Sequence, residues 1–305
     1  MMGDTFVSKV RVIEVGPRDG FQNICDFIPT EIKLEAIDRL VQAGVKDIMV
    51  TSFVSPKAIP QMQDAKTIAE TCVRKYPDVT CSALVPNLRG ALNAVEAGLR
   101  ELTVVISVST AHNRANINRT HEESFADLEK IMRECPEAAI TVDLATAFGC
   151  PFEGSISLDQ VRGMVHRVRE IGVRSIDLCD TIGAAHPGQV REYVTALLAE
   201  FPDVEFAVHI HDTRNMGMVN TLAAIECGIT TVQGAIGGLG GCPFAPGASG
   251  NTSSEDLVYM LNSMGYDTGI DFPKMLDAAL FVRQHVQGNY SGHQINITKR
   301  SVCCG

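Results

Sequence analysis

The chain has 305 residues, 45% apolar and 20% charged, with 26 basic against 36 acidic side chains and a formal net charge of −10. A chain of this length buries roughly 75% of its unfolded surface, so one large core forms without disulfide staples. The acidic balance, with no Lys/Arg-rich run, offers no footprint for nucleic acid or anionic lipid, and no apolar run approaches the ~20 residues that span a bilayer; the expected partner is a small molecule and the expected setting cytoplasmic. The ten cysteines are scattered without C-x-x-C pairs and read as reduced thiols.

Short β-branched runs recur from the start: Val10–Val15, Asp47–Val50, Val79–Leu84, Leu102–Ile106, Ala139–Leu144, Ser175–Leu178, Glu205–Ile210 and Thr230–Ile236. They read as buried parallel strands. Helical spacing lies between them, at Thr30–Ala43, Asp64–Lys75, Leu88–Ala97, Glu122–Cys135, Ser157–Ile171, Gly188–Glu200 and Met216–Cys227. Eight strand-then-helix units predict an α/β (β/α)8 TIM barrel, residues 8–253, rather than a doubly wound sheet. Helices at Ser254–Met264 and Phe272–His285 are expected as a C-terminal appendage, residues 254–305, on a single domain.

Barrels of this kind carry their chemistry at the C-terminal strand ends. The first strand leads into Gly16-Pro17-Arg18-Asp19-Gly20-Phe21-Gln22, and the seventh ends in His209-Ile210-His211-Asp212. Side chains two apart on a strand share a face, so both histidines point to the barrel mouth, a divalent-metal signal. After the eighth strand, the glycine-rich run Gly237–Asn251 predicts a flap, on which Cys242 is an acid–base or contact residue. Asp19, His209, His211 and Asn251 together offer two oxygen and two nitrogen ligands. That set suits Mg²⁺ or Mn²⁺, with Zn²⁺ chemically open. A cation there polarises a hydroxyl–carbonyl pair while Arg18 stabilises a developing oxyanion, which points to retro-aldol or retro-Claisen cleavage.

These stretches, with Thr51-Ser52-Phe53-Val54-Ser55-Pro56-Lys57, Val85-Pro86-Asn87-Leu88, Asn116-Ile117-Asn118, Gly149–Gly154 and Asp180-Thr181-Ile182-Gly183, resemble the 3-hydroxy-3-methylglutaryl-CoA (HMG-CoA) lyases along nearly the whole chain. The resemblance implies a metal-dependent TIM barrel that cleaves HMG-CoA to acetyl-CoA and acetoacetate. It implies Asp19, His209, His211 and Asn251 as metal ligands, Arg18 as the group stabilising the enolate, Cys242 on the closing loop, and Asp180 and Gln22 as polar active-site positions. An acyl-CoA substrate and a homodimer or larger homo-oligomer follow from it, with Ser52, Ser109, Asn87, Lys57 and Arg214 as expected substrate or CoA contacts.

Three departures from the family pattern fall near the expected acyl pocket. Met49 stands where a glutamate is usual, Asp177 where serine is common, and His112 where an apolar residue is usual. A thioether neither titrates nor binds a hard cation, and an added carboxylate at Asp177 repels a substrate carboxylate unless paired or protonated. His112 is the candidate compensating cation. These positions raise a citramalyl-CoA lyase as the alternative substrate reading; a Claisen synthase and a non-catalytic CoA-ester-binding barrel are the more distant ones.

Overall fold

The computed structural model describes residues 8–241 and 250–297. Eight strands run parallel in chain order, and the last closes on the first: β1 (Arg11–Glu14), β2 (Asp47–Ser52), β3 (Thr80–Leu84), β4 (Glu101–Ser107), β5 (Ala139–Ala145), β6 (Ser175–Asp180), β7 (Glu205–Ile210) and β8 (Thr231–Gly234). This is the TIM barrel that the alternation of elements predicts, and the strand ends lie within two residues of those expected.

The helices are α1 (Thr30–Gln42), α2 (Ala65–Lys75), α3 (Leu88–Glu96), α4 (Thr110–Ile117), α5 (His121–Glu134), α6 (Leu158–Glu170), α7 (Pro187–Glu200), α8 (Gly217–Glu226), α9 (Ser254–Ser263) and α10 (Phe272–His285). Local sequence starts several of them. Thr120 with Glu123 and Ser157 with Gln160 form reciprocal capping boxes at α5 and α6, each satisfying two backbone donors that a helix N-terminus leaves open. Their apolar stripes pack outward-facing strand residues such as Val142, Ile176 and Val208 into the main core.

Two differences from the expected elements have physical causes. Helix α4 has no counterpart among the expected elements, because its sequence Thr-Ala-His-Asn-Arg-Ala-Asn-Ile has no apolar stripe. It forms because Ser109 accepts from the His112 amide at its start, and it stops where Asn118 turns left-handed at φ 54°. Helix α9, expected outside the barrel, packs against β8 as the eighth barrel helix, and α10 lies on α1. The glycine-rich run between β8 and α9 hides that continuity in the sequence, since it replaces the usual short βα turn.

Candidate active site

The chain leaves β1 through a π-helical turn, Gly16–Gly20, all of it buried. The Asp19 amide donates to the Val15 carbonyl at 2.7 Å, and Arg18 to the same oxygen at 3.1 Å. Such single π turns recur at functional sites because they re-aim side chains that an α-turn would direct elsewhere. Glu14, fully buried, anchors the turn by accepting from the amides of Gly16 at 2.7 Å and Ile236 at 2.9 Å. A Cβ on Gly16 would fall 2.5 Å from that same Glu14 oxygen, so the tie between the ends of β1 and β8 requires glycine here.

Two strands round the barrel from β1, His209 near the end of β7 and His211 just past it share one face, as period-two alternation dictates. Asn251 reaches them because the returning chain pairs with the end of β7. His211 and Asn251 form an antiparallel bridge, flanked by Asp212 N–H to the Gly250 carbonyl at 3.1 Å and Thr252 N–H to the Ile210 carbonyl at 3.3 Å.

One ligand atom each from Asp19, His209 and His211 lies within 4.8 Å of the others, all three side chains buried. The two histidine Nε2 atoms are 3.1 Å apart, and His209 Nε2 is 4.0 Å from Asp19 Oδ2. Arg18 Nη1 donates to Asp19 Oδ1 at 2.5 Å, Gln22 Nε2 to the same oxygen at 2.7 Å, and Asn251 Nδ2 to Asp19 Oδ2 at 2.8 Å. Burial alone would raise the Asp19 pKa, but Arg18, the two histidines and the Asn251 hydrogen bond bring it down to about 2. Burial pushes His209 down to about 3 and lowers His211 as well. The result is an ionised carboxylate beside two neutral imidazoles, the protonation states that ligate a divalent ion. Asn251 Oδ1, buried and without a hydrogen-bond partner among the described residues, is a further oxygen suited to such an ion, because a buried acceptor left unmade costs ~1–3 kcal/mol. The donor set therefore fits a divalent cation.

A cavity of about 520 Å³ opens over this group, lined by Arg18, Asp19, Gln22, His209 and His211, with Asn87 and His112 on its walls. Other expected site residues lie elsewhere. Ser52 donates to the Leu84 carbonyl at 3.2 Å and Ser109 caps α4. Asp180, expected as an active-site polar group, instead accepts from the amides of Ala184 at 2.8 Å and Ala185 at 3.0 Å, holding the loop after β6. Arg214, considered as a carboxylate or phosphate contact, donates to the carbonyls of Ile182 and Gly183. Lys57 is exposed and outside the lining. Cys242 lies outside the described residues.

The three departures resolve differently from expectation. His112 is 1% exposed, its Nδ1 is 2.7 Å from Ser107 Oγ, and burial lowers its pKa to about 4, so it is a neutral group rather than a compensating cation. Asp177 does not face the main cavity. Together with Met49 it lines a separate space of about 60 Å³ towards the strand starts. Met49 packs under Arg18, whose Nε donates to its sulfur at 3.0 Å.

Sequence reasoning missed Asp143 and Gln233. Asp143 lines the main cavity, 3.9 Å from Arg18, and burial raises its pKa to about 6. Gln233 bonds His209. The available signal was a charged or amide residue inside an apolar strand run, Thr-Val-Asp-Leu and Thr-Val-Gln-Gly, which inside a barrel means a lumen-facing polar group.

The sequence matches the HMGL-like family model over residues 9–282. It is 42% identical over 298 residues to hydroxymethylglutaryl-CoA lyase YngG of Bacillus subtilis (strain 168), covering 97% of this chain and 99% of that protein. It is 40% identical over 282 residues to the mitochondrial hydroxymethylglutaryl-CoA lyase of Homo sapiens, covering 92% and 86%. A solved HMG-CoA lyase from Acinetobacter baumannii, in complex with coenzyme A and 3-methylmalate, superposes with a TM-score of 0.91 at 38% identity and 97% coverage of both chains.

Proposed function

Because this chain belongs to the HMGL-like family of lyases, we propose that it cleaves HMG-CoA to acetyl-CoA and acetoacetate with Mg²⁺ or Mn²⁺. The observation that carries the reading is the buried group Asp19, His209, His211 and Asn251 beside Arg18 at the floor of the main cavity. Relatives near 40% identity are named for hydroxymethylglutaryl-CoA, which favours that acyl group over citramalyl-CoA. The complex of a similar lyase with coenzyme A supports an acyl-CoA substrate here. A cytoplasmic enzyme is consistent with the composition; among the described residues no helix is long and apolar enough to cross a membrane. A homodimer or larger assembly rests on the family resemblance.

In the proposed reaction Asp19, His209, His211 and Asn251 would hold the cation. The chemistry such an ion would supply there is Lewis-acid polarisation of the substrate's hydroxyl and carbonyl oxygens. Gln22 and Arg18 fix Asp19 from one side and Asn251 from the other, so the carboxylate needs no reorganisation. The tertiary hydroxyl gives its proton to water in the cavity, the freed O–H electron pair becomes the ketone carbonyl of acetoacetate as the bond between the carbinol carbon and the thioester α-carbon breaks, and the pair from that bond passes into the thioester as an enolate. Arg18, a fixed cation in a buried site, stabilises that enolate oxygen. Return of one proton to the α-carbon, proposed for Cys242, gives acetyl-CoA. The test is incubation with HMG-CoA and Mg²⁺ or Mn²⁺, with products identified by mass spectrometry. Acetyl-CoA and acetoacetate in equal amounts are expected; no turnover of HMG-CoA under saturating cation overturns the reading.

A further inference from the structure

A line of buried side chains leads away from the cation group, down into the barrel lumen. His209 and Gln233 are register neighbours across β7 and β8, and Asp143 and Asp177 across β5 and β6. His209 Nδ1 lies 2.8 Å from Gln233 Oε1, and Gln233 Nε2 donates to Asp177 Oδ2 at 2.5 Å. The Asp177 carboxyl in turn meets that of Asp143, which faces Arg18 at 3.9 Å. Gln233 and Asp177 are each 3% exposed and Asp143 6%.

The donors and acceptors run in one direction. Two buried carboxyls in contact cannot both ionise, so they hold one proton between them. With that proton between the two acids, Asp177 Oδ2 remains an acceptor and takes the Gln233 N–H. The amide oxygen is thereby turned to His209, where it accepts only from a protonated Nδ1. Nε2 is left with its lone pair, and Nε2 is the atom that faces Asp19 and His211. An amide turned the other way would donate to Nδ1 and place the proton on Nε2, which cannot then ligate.

We propose that Gln233, oriented by Asp177, is a positioning residue that locks His209 in the Nδ1–H tautomer and so presents Nε2 to the cation. Partners of this kind fix both ring orientation and tautomer of a ligating histidine, and their loss costs ~10–100-fold in metal affinity. The inference rests on the cation-site reading above and is independent of which acyl-CoA is cleaved.

Mn²⁺ titration of the metal-free full chain, followed by calorimetry or by the EPR signal of free Mn²⁺, tests it alongside ¹⁵N NMR of the histidine rings. The wild type is expected to show His209 as Nδ1–H. Gln233→Leu is expected to bind Mn²⁺ ~10–100-fold more weakly and to populate the Nε2–H form. Asp177→Leu, which frees the amide to turn, gives the same two changes. Asp177→Asn restores both readouts, because its amide donates to Asp143 while its oxygen accepts from Gln233. Mn²⁺ affinity of Gln233→Leu within twofold of wild type overturns the proposal. So does an Nε2–H tautomer in the wild type, a measurement that needs no variant to fold. Absence of HMG-CoA turnover with these Mn²⁺ effects intact would count against the substrate reading alone.

Discussion

The guanidinium of Arg18 rests on the sulfur of Met49, with Nε donating to Sδ at 3.0 Å, while its other edge meets Asp19 at 2.5 Å and faces Asp143 at 3.9 Å. A neutral thioether beneath Arg18 leaves the cation's charge to the carboxylates and to the substrate oxygen in the cavity above. Met49 is 2% exposed, so any charge placed there is desolvated.

Met49→Glu tests that arrangement directly. It would add a carboxylate to a lumen where Asp19 and Asp143 already face Arg18 and Asp177 lies alongside. The new group is expected to keep its proton at neutral pH and to destabilise the fold by about 1–3 kcal/mol. Its folded pKa would be raised, so the loss grows as pH rises from 5.5 to 8, where the unfolded chain ionises freely. Thermal denaturation at the two pH values measures it; a loss independent of pH would show that the glutamate ionises comfortably against Arg18.

Roles within the cation group separate by substitution. Asp19→Ala is expected to abolish tight Mn²⁺ binding, since the carboxylate is the charged ligand of the group. Arg18→Ala is expected to retain the ion and to slow cleavage by about 3–4 kcal/mol of barrier, the usual cost of a lost oxyanion donor. Parallel Mn²⁺ titration and single-turnover assays distinguish the two. Full activity in Arg18→Ala would remove the enolate role from this residue.

Gly240 limits how closely Asn251 can be approached. Its φ is +137°, and a Cβ would fall 2.5 Å from Asn251 Nδ2, the atom that donates to both Asp19 Oδ2 and the Leu239 carbonyl. Gly240→Ala is therefore expected to displace Asn251 and weaken Mn²⁺ binding by about tenfold, in line with lost support of a ligand, and to lower the melting temperature because an L residue is strained at this φ. Unchanged affinity would mean that the loop absorbs the extra carbon without moving Asn251.

Glu14 makes stability pH-dependent. Burial raises its pKa to about 7, opposed by hydrogen bonds from Ser254 and the Ile236 and Gly16 amides. The folded state therefore holds the proton to higher pH than the unfolded chain does. Nothing is lost below about pH 4.5, stability falls as pH rises from there towards 7, and the full cost, on the order of 3 kcal/mol, is present above 7. Glu14→Gln removes the titration and keeps an acceptor for both amides. Its stability relative to wild type is expected to improve steadily between pH 5 and 8 in urea denaturation; a constant difference would contradict the raised pKa.

The barrel and the meeting of Asp19, His209 and His211 are legible in the chain itself, because both are written locally. Strand and helix periodicity identified every strand, and the H-x-H at the end of β7 and the Arg-Asp after β1 marked the strand ends that carry polar groups in such folds. Alternation along a strand fixes which face His209 and His211 share, whatever surrounds them.

What tertiary structure decided is which polar side chains meet, since that depends on register between strands far apart in sequence. Nothing local to Asp143, Asp177 or Gln233 says that the first two are paired carboxyls or that the third grips His209; the β5–β6 and β7–β8 registers do. The same dependence makes His112 a buried neutral ring, and ties Asp180 to the amides of the loop after β6. Charge state and partner are set by the surroundings that folding assembles, and for a buried titratable group those surroundings outweigh the residue type.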